Sequence, residues 1–411
     1  MKYKEMSIWE YSNPGKDPKI EYHNRFDSPS TLKTGLFINP VLRGERQMEL
    51  FELFLLITPK MLELQEKIMR SSSKILELRS VLPGIASDKI FHEYLVNEII
   101  NTNDIEGVKT TSKEVTEAIS NIRNNSGGNL RLKSFIRMYL EIETGRKPDI
   151  TTLKDIRDIW DSLLEGEISA EDMPDGELFR NSRVRIGNEY ETVHVPKTRE
   201  EDIANDLMLW IKFINSDVPS LVKAFVAHYF LEYVHPFKDG NGRTGRYIAC
   251  TYLGSKLDPM SAMTLSRSIN RNRGDYYKAF VNVENPKNRG EITFFVLSMM
   301  EFLLDGQQRL IGDLEEKKQK LADAWRGIEG YTADSTERKV IYLHFQSWMF
   351  NSFEGGLEDR ELKKYTRPDG LKNTQVKRCL DKLTDEGVLV KLKKSPIVRS
   401  LSDEWVRGNL L

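Results

Sequence analysis

Between His235 and Arg246 the chain places one imidazole, one carboxylate, three glycines, an asparagine and two arginines: His235-Pro236-Phe237-Lys238-Asp239-Gly240-Asn241-Gly242-Arg243-Thr244-Gly245-Arg246. A neutral imidazole can take a proton from an attacking hydroxyl, a role that contributes roughly 10²–10⁴-fold in rate. Asp239 offers a hard oxygen suited to Mg²⁺, which takes a few protein ligands and completes its shell with phosphate and water. Glycines let neighbouring backbone amides converge on an anion, and the helix that follows adds the partial positive charge of its N-terminus. Arg243 and Arg246 supply planar donors that fit phosphate oxygens. Each residue alone has a plain structural reading, a turn or a satisfied core histidine. The combination points to chemistry on a phosphate ester.

Two helices must position this run. Leu221, Val222, Phe225, Val226, Tyr229, Phe230, Tyr233 and Val234 form a wide apolar stripe that has to be buried. Pro236 discourages His235 from continuing that helix. Helical periodicity resumes at Tyr247 and runs through Ile248, Cys250, Thr251 and Leu253.

The run from His235 to Arg246 resembles the signature of Fic-domain proteins. The resemblance implies a mainly α fold, a Fic-type helical bundle with a small β-hairpin flap. It also implies that His235 deprotonates a Ser, Thr or Tyr hydroxyl of a target protein. That oxygen would attack the α-phosphate of ATP and expel pyrophosphate. By the same resemblance Asp239 holds Mg²⁺, the Gly240 to Gly242 amides and Asn241 bind phosphates, and Arg243 and Arg246 take the β and γ end. Gly245 is counted with these phosphate-binding residues. Gly176-Glu177-Leu178-Phe179-Arg180 and the hairpin that follows it resemble the flap, which would hold the target at 184–196 as an added strand. Leu265 to Asn270, Asn272-Arg273 and Tyr276-Tyr277 resemble the adenine side, with Tyr277 assigned to the nucleotide; ordinary core aromatics remain an equal reading of the tyrosine pair. The likeness runs from about 90 to 305. It departs at Lys197, where the family often has a proline, and at the polar Gly187-Asn188-Glu189, which bears on target choice.

Upstream, Thr102-Asn103-Asp104-Ile105-Glu106-Gly107 ends the periodic run Phe91, Leu95, Ile99, with Gly107 suited to a helix C-cap. Thr111 and Glu114 form a capping box for the next helix. Local reasoning makes Glu106 a solvated surface acid. The resemblance changes that, because one class of Fic proteins carries this Thr, Glu and Gly pattern in an inhibitory helix. Glu106 would then pair with Arg246 and keep it from the γ-phosphate. The same glutamate could instead orient a water that removes AMP from a modified protein.

The 411 residues are 39% hydrophobic and 30% charged, with a formal net charge of -1, which excludes a uniformly basic nucleic-acid coat. Two cysteines, Cys250 and Cys379, make no disulfide framework or zinc site, and no signal-like or membrane-length apolar stretch occurs, so a cytoplasmic setting is expected. Residues 1–40 read as an irregular arm, and Met48, Phe51, Phe54, Leu55, Met61, Leu62, Leu64 and Ile68 as helices. Turns are expected at Asn124 to Gly128 and Glu171 to Gly176. The division expected is 1–110 for the arm and helices including the inhibitory one, 111–310 for the catalytic domain, 311–334 for a linker helix and 335–411 for a winged helix. Glu301 to Ala324 reads as one charged helix, followed by a linker containing Gly327, Gly330 and Asp334.

In the last region, helix-like runs at 336–350, 358–365 and 372–385 precede Val388-Leu389-Val390 and Ile397-Val398-Arg399, the winged-helix order. It carries 15 Lys plus Arg against 11 Asp plus Glu, and Lys372, Lys377, Arg378, Lys382, Lys391, Lys393 and Lys394 could meet DNA. Protein docking or homodimer formation is the alternative. Two functions follow: an autoinhibited AMP transferase, or a DNA-binding regulator that uses the Fic domain to sense nucleotide.

Overall fold

The structure, a computed structural model, describes residues 3–123, 132–187, 192–350, 356–368 and 370–410. The turn expected at Asn124 to Gly128 and the hairpin tip Asn188-Glu189 lie outside the described residues. The chain is mainly helical, with short antiparallel sheets among the described residues. No described helix is long and apolar enough to cross a membrane. Packing divides the chain into two units, Met1–Ser72 with Asn97–Gln308, and Ser73–Val96 with Arg309–Leu411.

In the first unit, the helix Ser220–Val234 buries nearly every side chain, and the helix Asn241–Lys256 is buried from Asn241 through Tyr247. A helix apolar all round belongs in a core. Each fully buried Leu, Val or Phe contributes about 1.5–3 kcal/mol. The helix Glu200–Ile214 packs alongside, with the Trp210 indole donating to the Ala227 carbonyl at 2.8 Å, so the buried N–H is satisfied.

The N-terminal reading is corrected in two places. Residues expected as an irregular arm form the helices Met6–Ser12 and Pro18–Phe26, the second capped by Asp17 accepting from Lys19 N at 2.8 Å. A strand, Thr31–Ile38, follows and pairs antiparallel with Phe51–Leu56, where a helix was expected. Leu53, Phe54 and Leu55 are all fully buried. So short an apolar run has no period that separates strand from helix, and the distant strand partner decides it. Buried Arg25 reaches Glu291 at 2.8 Å, and Tyr3 donates to the same carboxylate at 2.5 Å, so the N-terminus is pinned to a residue far along the chain.

The charged helix is longer than expected, Thr293–Tyr331, and takes in Gly327 and Gly330. A Cβ at Gly327 would lie 2.9 Å from Leu410 Cδ2 and 3.0 Å from the Asn409 carbonyl, so that glycine serves close packing and not a linker. Only Thr332 to Asp334 connect to the next helix, Ser335–Met349, whose first amides at Thr336 and Glu337 are capped by Asp334 at 2.7 and 2.9 Å.

The second unit continues with the helices Asp359–Thr366 and Asn373–Asp385, the hairpin Leu389–Lys394 with Ile397–Leu401, and the helix Asp403–Asn409. Leu357–Glu358 pairs with the other edge of Ile397–Leu401, making that strand central. Arg399 on it is buried and bonds Asp359 at 3.1 Å, Asp381 at 3.0 Å and the Leu380 carbonyl at 2.9 Å, which joins sheet to helices.

Candidate active site

The histidine helix stops where its sequence requires. His235 adopts φ 51° and ψ 63°, the left-handed region, immediately before Pro236. Its backbone amide still bonds the Leu231 carbonyl at 3.0 Å. The ring Nδ1 is buried and has no hydrogen-bond partner among the described residues. Burial, then the charges of His194 and Arg180, push the imidazole pKa down to about 3, so the ring is neutral and its lone pair available.

The loop after it is held by side chains. Asn241 accepts from Phe237 N at 2.9 Å and donates to the Phe237 carbonyl at 2.8 Å, stapling the turn shut. Trp160 stacks on Phe237 with centroids 4.7 Å apart and donates to the Asp239 carbonyl at 2.9 Å. Gly240, at φ +82°, leaves no room for a Cβ, which would sit 2.1 Å from Leu164 Cδ1. The first helical bond back to the loop runs from Thr244 N to the Gly240 carbonyl at 3.0 Å. The amides of the turn before it therefore have no intrahelical acceptor, an arrangement of the kind that suits an anion.

The charged residues of the motif separate into different duties. Asp239, with a side chain 45% exposed, accepts from Gly240 N at 2.6 Å and from Arg243 Nη2 at 3.1 Å. Arg243 is buried and also bonds Glu167 at 2.9 Å, so its guanidinium is shared between two carboxylates. Glu167 has no signal in the sequence. Gly245 faces the histidine helix, where a Cβ would lie 2.2 Å from Glu232 Oε1, so it is a point of close helix approach. Glu232 lies beside it, mostly buried, its pKa raised to about 8 by desolvation. Among the described residues no cluster of three or more His, Cys, Asp or Glu could hold a metal ion.

Arg246 is buried and donates from Nε to the Thr102 hydroxyl at 2.8 Å, and from Nη2 to the Thr102 carbonyl at 3.0 Å and Glu106 Oε1 at 2.7 Å. Burial opposes its charge, and Glu106 more than offsets this, raising the pKa above the usual arginine range. The Glu106 side chain is 26% exposed. A Cβ on Gly242 would lie 2.2 Å from Glu106 Oε1, so the missing side chain there makes room for the carboxylate. The helix Gly84–Ile105 ends beside Gly107 at φ +74°, and the Thr111 to Glu114 box is formed, Thr111 N donating to Glu114 at 2.8 Å.

The seam extends one turn upstream. Fully buried Glu98 accepts from Ser266 N at 3.0 Å, from the Ser266 hydroxyl and from Cys250 Sγ at 3.3 Å. Glu98, Thr102 and Glu106 thus face Cys250 and Arg246 at successive four-residue steps, a spacing visible in the sequence but unread there. Asp104 bonds Asn270 at 2.8 Å and Arg273 at 2.9 Å, and the half-exposed Tyr277 donates to the Ile105 carbonyl at 3.3 Å. Residues expected on the adenine side therefore also hold the end of this helix. Tyr276 is buried, its hydroxyl 2.9 Å from His228 Nε2.

The hairpin pairs Ile186 with His194 and Gly187 with Thr192. His194 anchors it, Nδ1 lying 2.6 Å from Glu284 and Nε2 2.7 Å from the Tyr233 carbonyl. Lys197 bonds buried Asp206 at 2.7 Å, which ties the chain leaving the hairpin to the helix Glu200–Ile214. Gly176 to Phe179 wraps the Glu200 carboxylate, which accepts from Glu177 N at 2.9 Å, Leu178 N at 2.6 Å and Phe179 N at 2.8 Å.

Residues 150–253 match the Fic/DOC family. The protein adenylyltransferase Fic of Aedes aegypti is 36% identical to this chain over 118 residues, and that of Drosophila melanogaster 34% over 119. Each match covers 28% of this chain and 22% of the relative, so the chain spans about a fifth of the length of these curated relatives. The fold is similar to the crystal structure of a Fic family protein from Desulfovibrio desulfuricans G20, with a TM-score of 0.52 at 19% identity, covering 84% of this chain and 97% of that one. The fold is thus the mainly helical one expected, and the match to the Fic/DOC family lies in residues 150–253. That segment contains the run from His235 to Arg246 but not Glu106.

Proposed function

We propose that this chain transfers AMP from ATP to a Ser, Thr or Tyr hydroxyl of a target protein, and that Glu106 holds the reaction off at rest. The observation that carries the reading is one continuous turn joining a neutral imidazole at His235 to the amides that start the helix Asn241–Lys256. His235 takes the hydroxyl proton; the freed oxygen forms a bond to the α-phosphorus while the bond to the pyrophosphate oxygen breaks and that group leaves with the electron pair. The helix-start amides bind phosphate oxygens. Asp239 fits Mg²⁺ as a single exposed carboxylate beside the expected phosphate site, since this ion takes a few protein ligands and completes its shell with phosphate and water. Bound there, the ion would neutralise phosphate charge. Arg246 is the remaining cation for the far phosphates, and its bond to Glu106 withholds it.

The test is incubation of the wild type, Glu106→Gly and Glu106→Gly/His235→Ala chains with ATP, followed by mass spectrometry. An AMP adduct that appears with Glu106→Gly and disappears with His235→Ala is expected; no adduct from Glu106→Gly would sink the reading.

Removal of AMP by the same site is the second reading, favoured by the partial exposure of Glu106, which lets a carboxylate oxygen reach a water. Loss of AMP release in Glu106→Ala, with an AMP-modified target as substrate, would support it. For the second unit we propose a winged helix that contacts DNA, supported by the exposed Lys377 and Arg378 on one helix, Lys372 at its N-cap, and Lys391, Lys393 and Lys394 on the hairpin. A salt-dependent DNA mobility shift that survives neutralising the three hairpin lysines would refute this assignment.

A further inference from the structure

Arg180 has no exposed surface and makes no ion pair among the described residues. Its guanidinium donates only to main-chain carbonyls: Nε to His235 at 2.7 Å, Nη2 to Val234 at 3.3 Å and Nη1 to Ser182 at 2.8 Å. Its own backbone amide donates to the Pro236 carbonyl at 3.0 Å. Three successive carbonyls at the end of the histidine helix therefore terminate on one residue. Burying a charge with no carboxylate in contact is costly, and desolvation, only partly opposed by Asp175, pulls this arginine's pKa down to about 10. The carbonyls of a helix C-terminus carry partial negative charge and are the groups that can accept it.

Those carbonyls flank a strained residue. A left-handed non-glycine costs on the order of 1–2 kcal/mol, and a residue before proline otherwise relaxes toward an extended backbone. Relaxation at His235 would rotate its Cα–Cβ bond and carry the imidazole with it. We propose that Arg180 is the positioning residue of His235, locking the left-handed turn that sets the direction of the base. This rests on the reading of His235 as general base. Arg180 is fixed in turn, because the three residues before it are folded around the Glu200 carboxylate. Through Ser182 the same guanidinium touches the segment leading to the hairpin at Ile186, so the base and the expected target strand share one anchor.

The test uses full chains carrying Arg180→Met and Arg180→Lys, each with and without Glu106→Gly. Histidine ring signals are followed by NMR, with His235 assigned by its loss in His235→Ala and buried His228 of the same unit as the folding control. In Arg180→Met the His235 signal is expected to move or broaden while that of His228 stays. In the Glu106→Gly background kcat is expected to fall on the order of 10²-fold while ATP affinity stays within about twofold, with Arg180→Lys intermediate. An unchanged His235 signal, or a fall in kcat matched by the loss of ATP affinity, overturns the proposal. If Arg180→Met does not fold, Arg180→Lys carries the same two readouts. If Glu106→Gly with Arg180 intact transfers no AMP, the general-base reading fails by itself, and the NMR comparison still decides whether Arg180 holds the ring.

Discussion

Glu106 and Arg246 meet at 2.7 Å, yet the two partners differ in their access to solvent: the arginine side chain is 1% exposed and the glutamate 26%. The cation is the fixed member and the carboxylate the movable one. Losing one partner of a fully buried pair costs about 3–5 kcal/mol, but water reaches Glu106, so the pair is weaker than that limit.

Replacing Glu106 with glycine should therefore raise AMP transfer about tenfold to a hundredfold, since each 1.4 kcal/mol is about a factor of ten. Incorporation of label from α-labelled ATP measures it. Equal self-labelling by wild type and variant would remove Glu106 from the account.

Glu98 should matter for stability in a way its neighbour does not. Glu98→Ala strips the acceptor from Ser266 N, the Ser266 hydroxyl and Cys250 Sγ. A loss of about 1–3 kcal/mol is expected for buried donors left unpaired, read as a lower denaturation midpoint. Glu98→Gln keeps one acceptor and should lose less. If both variants unfold with the wild type, the seam between the helices Gly84–Ile105 and Asn241–Lys256 is not held there.

Two histidines set an acid limit. Burial, with the neighbouring charges, lowers His235 and His228 from 6.5 to about 3. Their folded pKa values are depressed, so the unfolded chain binds more protons below about pH 6.5. The stability they contribute is present above that pH and is lost as pH falls toward about 3. The melting temperature should decline across this window, and less steeply in a His228→Asn variant. AMP transfer by Glu106→Gly should show no inflection near pH 6.5, because the base is already neutral there. An inflection of that activity near pH 6.5 would contradict this environment.

Gly240→Ala should cost on the order of 1–3 kcal/mol, from a positive φ and from overpacking against Leu164 and Trp160. Binding of a fluorescent ATP analogue should weaken with it, since the Trp160 bond to Asp239 is displaced. Denaturant titration and fluorescence titration check the two effects separately. Unchanged values in both would mean that the loop is not held by this contact.

Much of the site was legible because it is local. His235, Asp239 and the glycines follow one another, and Pro236 announces the break in the helix. The pairing of Glu106 with Arg246 came only through resemblance, since the two lie far apart in the chain and local rules make Glu106 a surface acid. Glu167, Glu98 and Glu200 were missed for a common reason. Each is an ordinary glutamate whose role comes from a partner brought near by tertiary packing, Arg243, Ser266 and the amides of Glu177 to Phe179 respectively. The strand Phe51–Leu56 was read as helix because only its long-range partner fixes its type. Gly327 and Gly330 suggested a linker because composition cannot show that a distant Leu410 needs the space.

The two Thr102 contacts to Arg246 do not involve the Glu106 side chain. Freeing the arginine from its carboxylate therefore needs only one partly exposed side chain to change rotamer, with the helix staying docked. Such flips take picoseconds to nanoseconds, whereas typical enzymes turn over about 1–10³ times per second. Every catalytic cycle would average over a vast number of engaged and disengaged moments, so the rate would follow the time-averaged free fraction, and any ligand that doubles that fraction while it is small would double the output. Control of this kind is graded, like a dimmer, with no second stable state to be thrown into.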